Sequence, residues 1–215
     1  MKRVLLLLLF STSAFAADPL AAGAEALKNG DYAKALKIDE EVIRDMIGRV
    51  SPIDPESKRF PAAVAQKALA LAGLGRNDEA IWYWHVAQSL EPATDVAPTE
   101  FLKQHPFMEP SLKFTATIPP PPLPANVTAP KPVKRVEPRY PGPVKAARVG
   151  GLIIAALVVD RNGAVRDIEI RKSSPAPTLV YETTEALHQW TFTPATVDGK
   201  PVEAMYTQVV SYQMP

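Results

Sequence analysis

Hydrophobic and polar residues follow a helical period in the first half of the chain. Apolar residues recur at helical spacing over residues 32–47, 62–74 and 79–90. The turn residues 29–31 and 75–78 separate these stretches from the helices before them. The pattern predicts an N-terminal all-α region of two helix-turn-helix units over residues 18–92.

The second half changes to the pattern of a sheet. A continuous apolar run at 152–159 predicts a central strand, and Asn162-Gly163 predicts a tight turn into a second strand at 165–171. We expect Thr178 to cap a helix that stops near Pro194, and residues 202–213 to form the last strand. With a short helix at 141–148, the region is predicted as a small α+β domain, and the whole chain as α+β.

The first residues have the layout of a secretory signal. Lys2 and Arg3 precede an apolar run at 4–10, and small residues follow up to Ala16 and Ala17. We expect a signal peptide at 1–16, cleaved between Ala16 and Ala17, and therefore a periplasmic protein without a stable transmembrane span. The alternative is an inner-membrane anchor through an uncleaved N-terminus, although a helix over 4–17 would span only about 21 Å of a roughly 30 Å hydrocarbon core.

The second helical unit resembles a tetratricopeptide repeat. The resemblance rests on small and aromatic residues at that motif's positions: Ala68, Leu71, Gly75, Ala80, Trp84, Ala87 and Pro92. The first unit matches less well, because Asp39 stands where an aromatic residue is usual. The alternative is an ordinary pair of helical hairpins. A helical peptide or a protein is a candidate partner of such repeats, and Trp82, Tyr83, Trp84 and His85 are interpreted as packing rather than as a cofactor site.

Residues 93–137 are predicted as a proline-rich linker. Most of the chain's 23 prolines lie in or beside this stretch, which favours extended polyproline II backbone and a semi-rigid spacer between two separate folded parts. Basic residues outnumber acidic ones towards its end. This charge is interpreted as that of a solvated linker, with contact to anionic envelope polymer or lipid as the alternative.

Composition excludes several classes of function. The 24 basic and 23 acidic residues leave a net charge of +1, which does not fit a nucleic-acid-binding protein. The chain has no cysteine, and its 3 histidines lie in different segments. We find no nucleophile with a base, no metal-ligand spacing and no phosphate-binding loop, so we expect no enzyme activity, no cofactor and no metal. A hydrolase is the alternative with the least support.

The C-terminal 138–215 resembles the TonB C-terminal domain family. The motifs occur in order: Pro138-Arg139-Tyr140-Pro141, Gly150-Gly151, Val159-Asp160-Arg161-Asn162-Gly163, Ser173-Ser174, Ala186-Leu187, Trp190-Thr191-Phe192-Thr193-Pro194-Ala195 and Asp198-Gly199-Lys200-Pro201-Val202. The resemblance implies a three-stranded antiparallel sheet with helices on one face. It further implies work in the Gram-negative periplasm, where an outer-membrane receptor adds a short segment to the edge formed by the last strand.

We therefore expect a protein-binding protein with a role in TonB-type transport across the envelope. Alternate residues of the last strand, Tyr206, Gln208, Val210 and Tyr212, are candidates for selecting the added peptide. The alternative is that these side chains face the helices as core. A cleavable signal in place of a durable membrane helix puts energy transduction in doubt, so a periplasmic adaptor or scaffold for another envelope protein is the second hypothesis.

Overall fold

The structure, a computed structural model, describes residues 18–91 and 126–213. The first of these ranges is helical. Its elements are α1 (Pro19–Lys28), α2 (Tyr32–Arg49), a 3-10 turn (Pro55–Arg59), α3 (Phe60–Gly73) and α4 (Asn77–Leu90). Asp18 and Asp31 cap α1 and α2 with side-chain carboxylates. Gly30 and Gly75 take positive φ in the two interhelical turns, which explains why both predicted turns contain glycine.

Small residues let the four helices approach closely. Five of the positions that carry the repeat resemblance are buried, namely Ala68, Leu71, Ala80, Trp84 and Ala87, whereas Gly75 in the turn is exposed and Pro92 lies outside the described residues. Trp82 is fully buried, and Tyr83 and Trp84 are buried as well, so the interpretation of this aromatic run as packing is confirmed. The helical packing is therefore as predicted, whereas the tetratricopeptide assignment stays a prediction.

The second range is a mixture of short and long elements. They are β1 (Val127–Thr128), β2 (Lys131–Lys134), α5 (Gly142–Ala146), β3 (Gly151–Val159), β4 (Val165–Lys172), α6 (Pro177–His188), β5 (Thr191–Thr193), β6 (Ala195–Val197), β7 (Lys200–Val202) and β8 (Ala204–Tyr212). The main sheet is antiparallel with the order β4-β3-β8, and α5 and α6 pack against one face of it. The predicted α+β class with a three-stranded antiparallel sheet is confirmed.

The start of α6 differs from the prediction. The helix begins at Pro177, one residue before the expected cap, and Thr178 lies inside it, buried and 4% exposed. Proline at the first helical position has the right φ and needs no hydrogen-bond partner for nitrogen, which explains the earlier start. The expected Thr178 cap is therefore wrong.

The end of the predicted linker is folded. Residues 93–125 of that segment lie outside the described residues, but β1 pairs with β6 and β2 pairs with β5. Each of these two short strands pairs on one side only within the described residues, and an edge strand tolerates a residue such as Pro132. The folded C-terminal region therefore begins before residue 138.

The helical region and the C-terminal region pack against each other. One buried cluster contains Phe60 and Trp82 from the helices together with Ile168, Leu187 and Phe192 from the C-terminal region. The Trp82 ring stacks on His188 at 4.2 Å between centroids. The expectation of two separated parts is therefore corrected, because the interface joins residues too distant in sequence for a local pattern to reveal.

Candidate partner-binding edge

The last strand is paired on one side. β8 runs antiparallel to β3, from Gly151 opposite Tyr212 to Val159 opposite Ala204. Within the described residues no strand pairs with its other side. A half-paired strand presents free N–H and C=O groups, which is the chemistry that an extended peptide needs to add to a sheet.

The direction of the β4 amides shows which backbone N–H and C=O groups of β8 face the open edge. Ile168 N–H donates to the carboxylate of Asp167 at 2.8 Å, and Ile170 N–H donates to Ser89 Oγ at 3.4 Å. Both amides therefore point away from β3. In an antiparallel sheet the residues opposite them on the central strand direct their own backbone groups to the other neighbour, which here is β8.

The same alternation continues across β3. The residues opposite Ile168 and Ile170 are Leu157 and Ala155, which lie opposite Tyr206 and Gln208 on β8. Tyr206 and Gln208 therefore direct their backbone groups towards β3. The residues between and beside them direct their backbone groups to the open edge: Met205, Thr207, Val209 and Ser211.

The predicted selectivity residues lie on the helix-facing side of the sheet. Tyr206 packs edge-on against Phe192, with 4.9 Å between ring centroids. The hydroxyl groups of Tyr212 and Thr183 hydrogen-bond at 2.7 Å, and Val210 packs against the cluster under α5 and α6. Burial raises the pKa of Tyr212 to about 12. These contacts correspond to the packing alternative for Tyr206, Val210 and Tyr212.

Gln208 has a contact at the edge itself. Its side-chain amide donates to the carbonyl oxygen of Val209 at 2.7 Å. That carbonyl belongs to a residue whose backbone faces outward. An added strand would compete with this hydrogen bond, so of the four predicted residues Gln208 is the one whose side chain reaches the open edge.

The outer face beside the edge carries the exposed side chains of β8. Met205 is 44% exposed and Val209 is 50% exposed, and Thr207 and Ser211 are exposed between and beyond them. An added strand would place alternate side chains next to this row. Sequence reasoning missed the row because its two apolar and two polar members give no clear alternation.

A cleft of about 790 Å³ lies between the helical region and the C-terminal region. Carboxylates and cations line it together, and Arg139 pairs with Glu182 at 3.2 Å. Burial raises the pKa of Glu182, and the nearby Arg139 guanidinium partly offsets that increase. Sequence reasoning could not find this cleft, because its walls come from α2, α3, α6 and residues 136–139.

The remaining predictions concern metals and membranes. Over residues 18–91 and 126–213, no group of three or more His, Cys, Asp or Glu side chains is placed to hold a metal ion. In the same ranges no helix has both the length and the apolar character to cross a membrane. The predicted cleavage residues Ala16 and Ala17 lie outside the described residues.

The C-terminal region is a small α+β domain whose last strand is paired on one side only within the described residues. The model of the family described as Gram-negative bacterial TonB protein C-terminal matches residues 136–214. The chain therefore carries a TonB C-terminal domain in that range, as the sequence resemblance implied.

The solution NMR structure of the Pseudomonas aeruginosa TonB C-terminal domain matches with 23% identity and a TM-score of 0.34, covering 41% of this chain and 87% of that chain. The search of curated proteins gave no match.

Proposed function

We propose that this protein binds an envelope protein by accepting one extended segment of it at the open edge of β8. The observation that carries the proposal is the row of outward backbone groups on Met205, Thr207, Val209 and Ser211, beside a strand that is paired only with β3 in the described residues. The TonB C-terminal domain at 136–214 supports an outer-membrane TonB-dependent receptor as the partner.

The main chain supplies affinity in this mode of binding, and side chains supply selectivity. Because Met205 and Val209 are apolar and half exposed, we expect the preferred segment to carry apolar residues where it passes them. Gln208 adds a second source of selectivity, since its amide must leave Val209 O or share it with the incoming N–H.

A Thr207→Pro variant tests the proposal, with Thr207→Ala as the matched control. Both variants replace the exposed threonine side chain and leave the hydrogen bonds to β3 in place, but only proline removes the outward N–H. Binding of synthetic peptides copied from receptor N-terminal boxes is measured by calorimetry, and circular dichroism verifies folding. We expect Thr207→Pro to weaken binding at least tenfold and Thr207→Ala to change it less than threefold. Equal affinities for the two variants would mean that recognition lies elsewhere.

A proline at the neighbouring position provides an opposite control. Gln208→Pro removes an N–H that faces β3 and should destabilise the sheet itself. If Gln208→Pro keeps the domain folded and Thr207→Pro unfolds it, the assignment of outward and inward amides is reversed.

The wider role follows from where the mature chain is held. We propose a periplasmic protein with a role in TonB-type transport, exported by the signal at 1–16. The adaptor hypothesis differs in attachment only, since a chain that is not held at its other end cannot pull on a receptor. Cell fractionation with N-terminal sequencing separates the two. A mature protein that begins at Ala17 in the soluble periplasmic fraction favours the adaptor, and one that keeps Met1 in the inner membrane favours the transducer.

A further inference from the structure

The sheet β4-β3-β8 has two edges, and an uncovered edge is a site for pairing with any extended chain. The N–H groups of Ile168 and Ile170 point outward from β4, as those of Thr207 and Val209 do from β8. The two edges differ in what lies against them. Helix α4 packs along β4, whereas no described strand pairs with the outer side of β8.

Side chains satisfy the outward amides of β4. The hydroxyl of Ser89 donates to the carbonyl oxygen of His85 at 2.8 Å, which leaves its oxygen lone pairs free for Ile170 N–H. The carboxylate of Asp167 accepts from Ile168 N–H, and it accepts a second hydrogen bond from His85 Nδ1 at 2.6 Å. Acceptors that an added strand would supply are therefore already supplied by α4 and by β4 itself.

Buried side chains hold α4 against β4. The side chains of His85 and Asp167 are only 11% and 8% exposed, so water has little access to their hydrogen bond. Trp82 on the same helix is fully buried and stacks on His188 of α6. Because these side chains are closely packed and buried, α4 stays on β4 in the folded protein.

We propose that α4 is a built-in cover for the β4 edge, so that each molecule accepts a single added strand, at β8. That α4 covers the β4 edge follows from the contacts of α4. That one strand adds at β8 rests on the proposed function. The helical region then limits strand pairing by the C-terminal domain, because it prevents β4 from pairing with a second copy or a second peptide.

Amide hydrogen exchange on the full chain tests the cover without any peptide. We expect the amides of Ile168 and Ile170 to exchange at least a hundredfold more slowly than those of Thr207 and Val209, although all four face outward from the sheet. Equal exchange at the two edges would overturn the proposal.

A double variant, His85→Ala with Ser89→Ala, tests the named side chains, and Gln88→Ala on the same helix is the control. The double variant should accelerate exchange at Ile170 at least tenfold and leave Val209 unchanged, while Gln88→Ala should alter neither. Unchanged exchange at Ile170 in a folded double variant would overturn the role given to Ser89, and unchanged exchange at Ile168 would overturn the role given to His85. Should the double variant unfold, the single Ser89→Ala change gives the same readout at Ile170.

The count of strands is tested by titrating the full chain with a receptor-box peptide and following backbone amide NMR signals. We expect one site, with shifts along β8 and none at Ile168 or Ile170. Shifts along β4 or a second site would overturn the proposal. If the peptide binds nowhere, the proposed function fails, while the exchange experiment still decides whether β4 is covered.

Discussion

The ammonium nitrogen of Lys67 lies 3.1 Å from the phenolic oxygen of Tyr181, and this buried hydrogen bond joins α3 to α6 across 114 residues of sequence. The same nitrogen lies 3.6 Å from the centroid of the Tyr83 ring. Burial lowers the pKa of Lys67, and the carboxylate of Glu185 opposes that shift. The two folded regions are therefore held together by a buried charge with aromatic partners, in addition to apolar packing.

Replacing this lysine should loosen the interface. We expect Lys67→Met to lower the free energy of unfolding by about 1–3 kcal/mol, because Tyr181 loses a hydrogen-bond donor and Glu185 loses its nearby cation. Urea unfolding at neutral pH measures the change. Lys37→Met, at an exposed position of α2, should stay within about 0.5 kcal/mol. If Lys67→Met is as stable as the parent, apolar packing alone holds the regions together.

Two helical glycines should respond oppositely to alanine. A methyl group at Gly23 would overlap Oδ1 of Asp39 and lie 2.7 Å from Oε1 of Gln66, whereas one at Gly48 would meet nothing within 4 Å. We expect Gly23→Ala to destabilise the protein by about 1–3 kcal/mol through overpacking. Gly48→Ala should stabilise it by about 0.5–1 kcal/mol, since alanine is the better helix former. Thermal unfolding of both variants checks this, and a stabilising Gly23→Ala would contradict the packing described.

The carboxyl group beside Gly23 should make stability depend on pH. Asp39 is fully buried, neither of its oxygens has a hydrogen-bond partner within the described residues, and burial raises its pKa to about 7. The folded state therefore holds the proton more tightly than the unfolded state between its ordinary pKa of 3.8 and about 7. The contribution of Asp39 to the free energy of unfolding is therefore fully present below pH 3.8, and it is lost as the pH rises from there to about 7.

An Asp39→Asn variant isolates this effect, because asparagine does not titrate. The difference in unfolding free energy between variant and parent should change by up to about 4 kcal/mol in favour of the variant from pH 4 to pH 8. Urea unfolding at several pH values measures it. A difference that is the same at pH 4 and pH 8 would mean that Asp39 titrates normally.

Local patterns predicted the elements of the C-terminal sheet well. The apolar run at 152–159 became β3, and Gly163 takes φ 83° in the turn that Asn162-Gly163 predicted. The apolar residues of the following helix are buried, including Leu179, Ala186 and Leu187. These features depend on residues close in sequence, so their periodicity and turn chemistry were sufficient.

Features that depend on distant residues were not predictable in this way. The pairing of β2 with β5 was not predictable from residues near Pro132, because their proline content favours a linker. The strand becomes evident only from its partner β5, about 60 residues further along the chain. The contact of His85 with Asp167 joins residues 82 apart and leaves no local pattern. The direction of the β8 side chains was left open for the same reason, since it depends on what packs against each face of the sheet.

Tyr212 distinguishes the two interpretations of the last strand that the sequence allowed. Its ring packs edge-on against Tyr140 at 5.4 Å between centroids, and its hydroxyl forms a hydrogen bond with Thr183. We therefore expect Tyr212→Ala to lower the free energy of unfolding by about 3 kcal/mol, and Tyr212→Phe by about 1 kcal/mol. Ser211→Ala, at the exposed neighbour, should change it by less than about 0.5 kcal/mol.

Peptide binding by the same variants completes the distinction. Because the Tyr212 ring faces the helices, Tyr212→Phe should bind receptor-box peptides with the affinity of the parent, measured by calorimetry under conditions where both are folded. A stable Tyr212→Ala variant that loses peptide affinity would contradict this placement. The ring would then be a peptide contact, and selectivity would belong to the helix-facing row instead of Met205 and Val209.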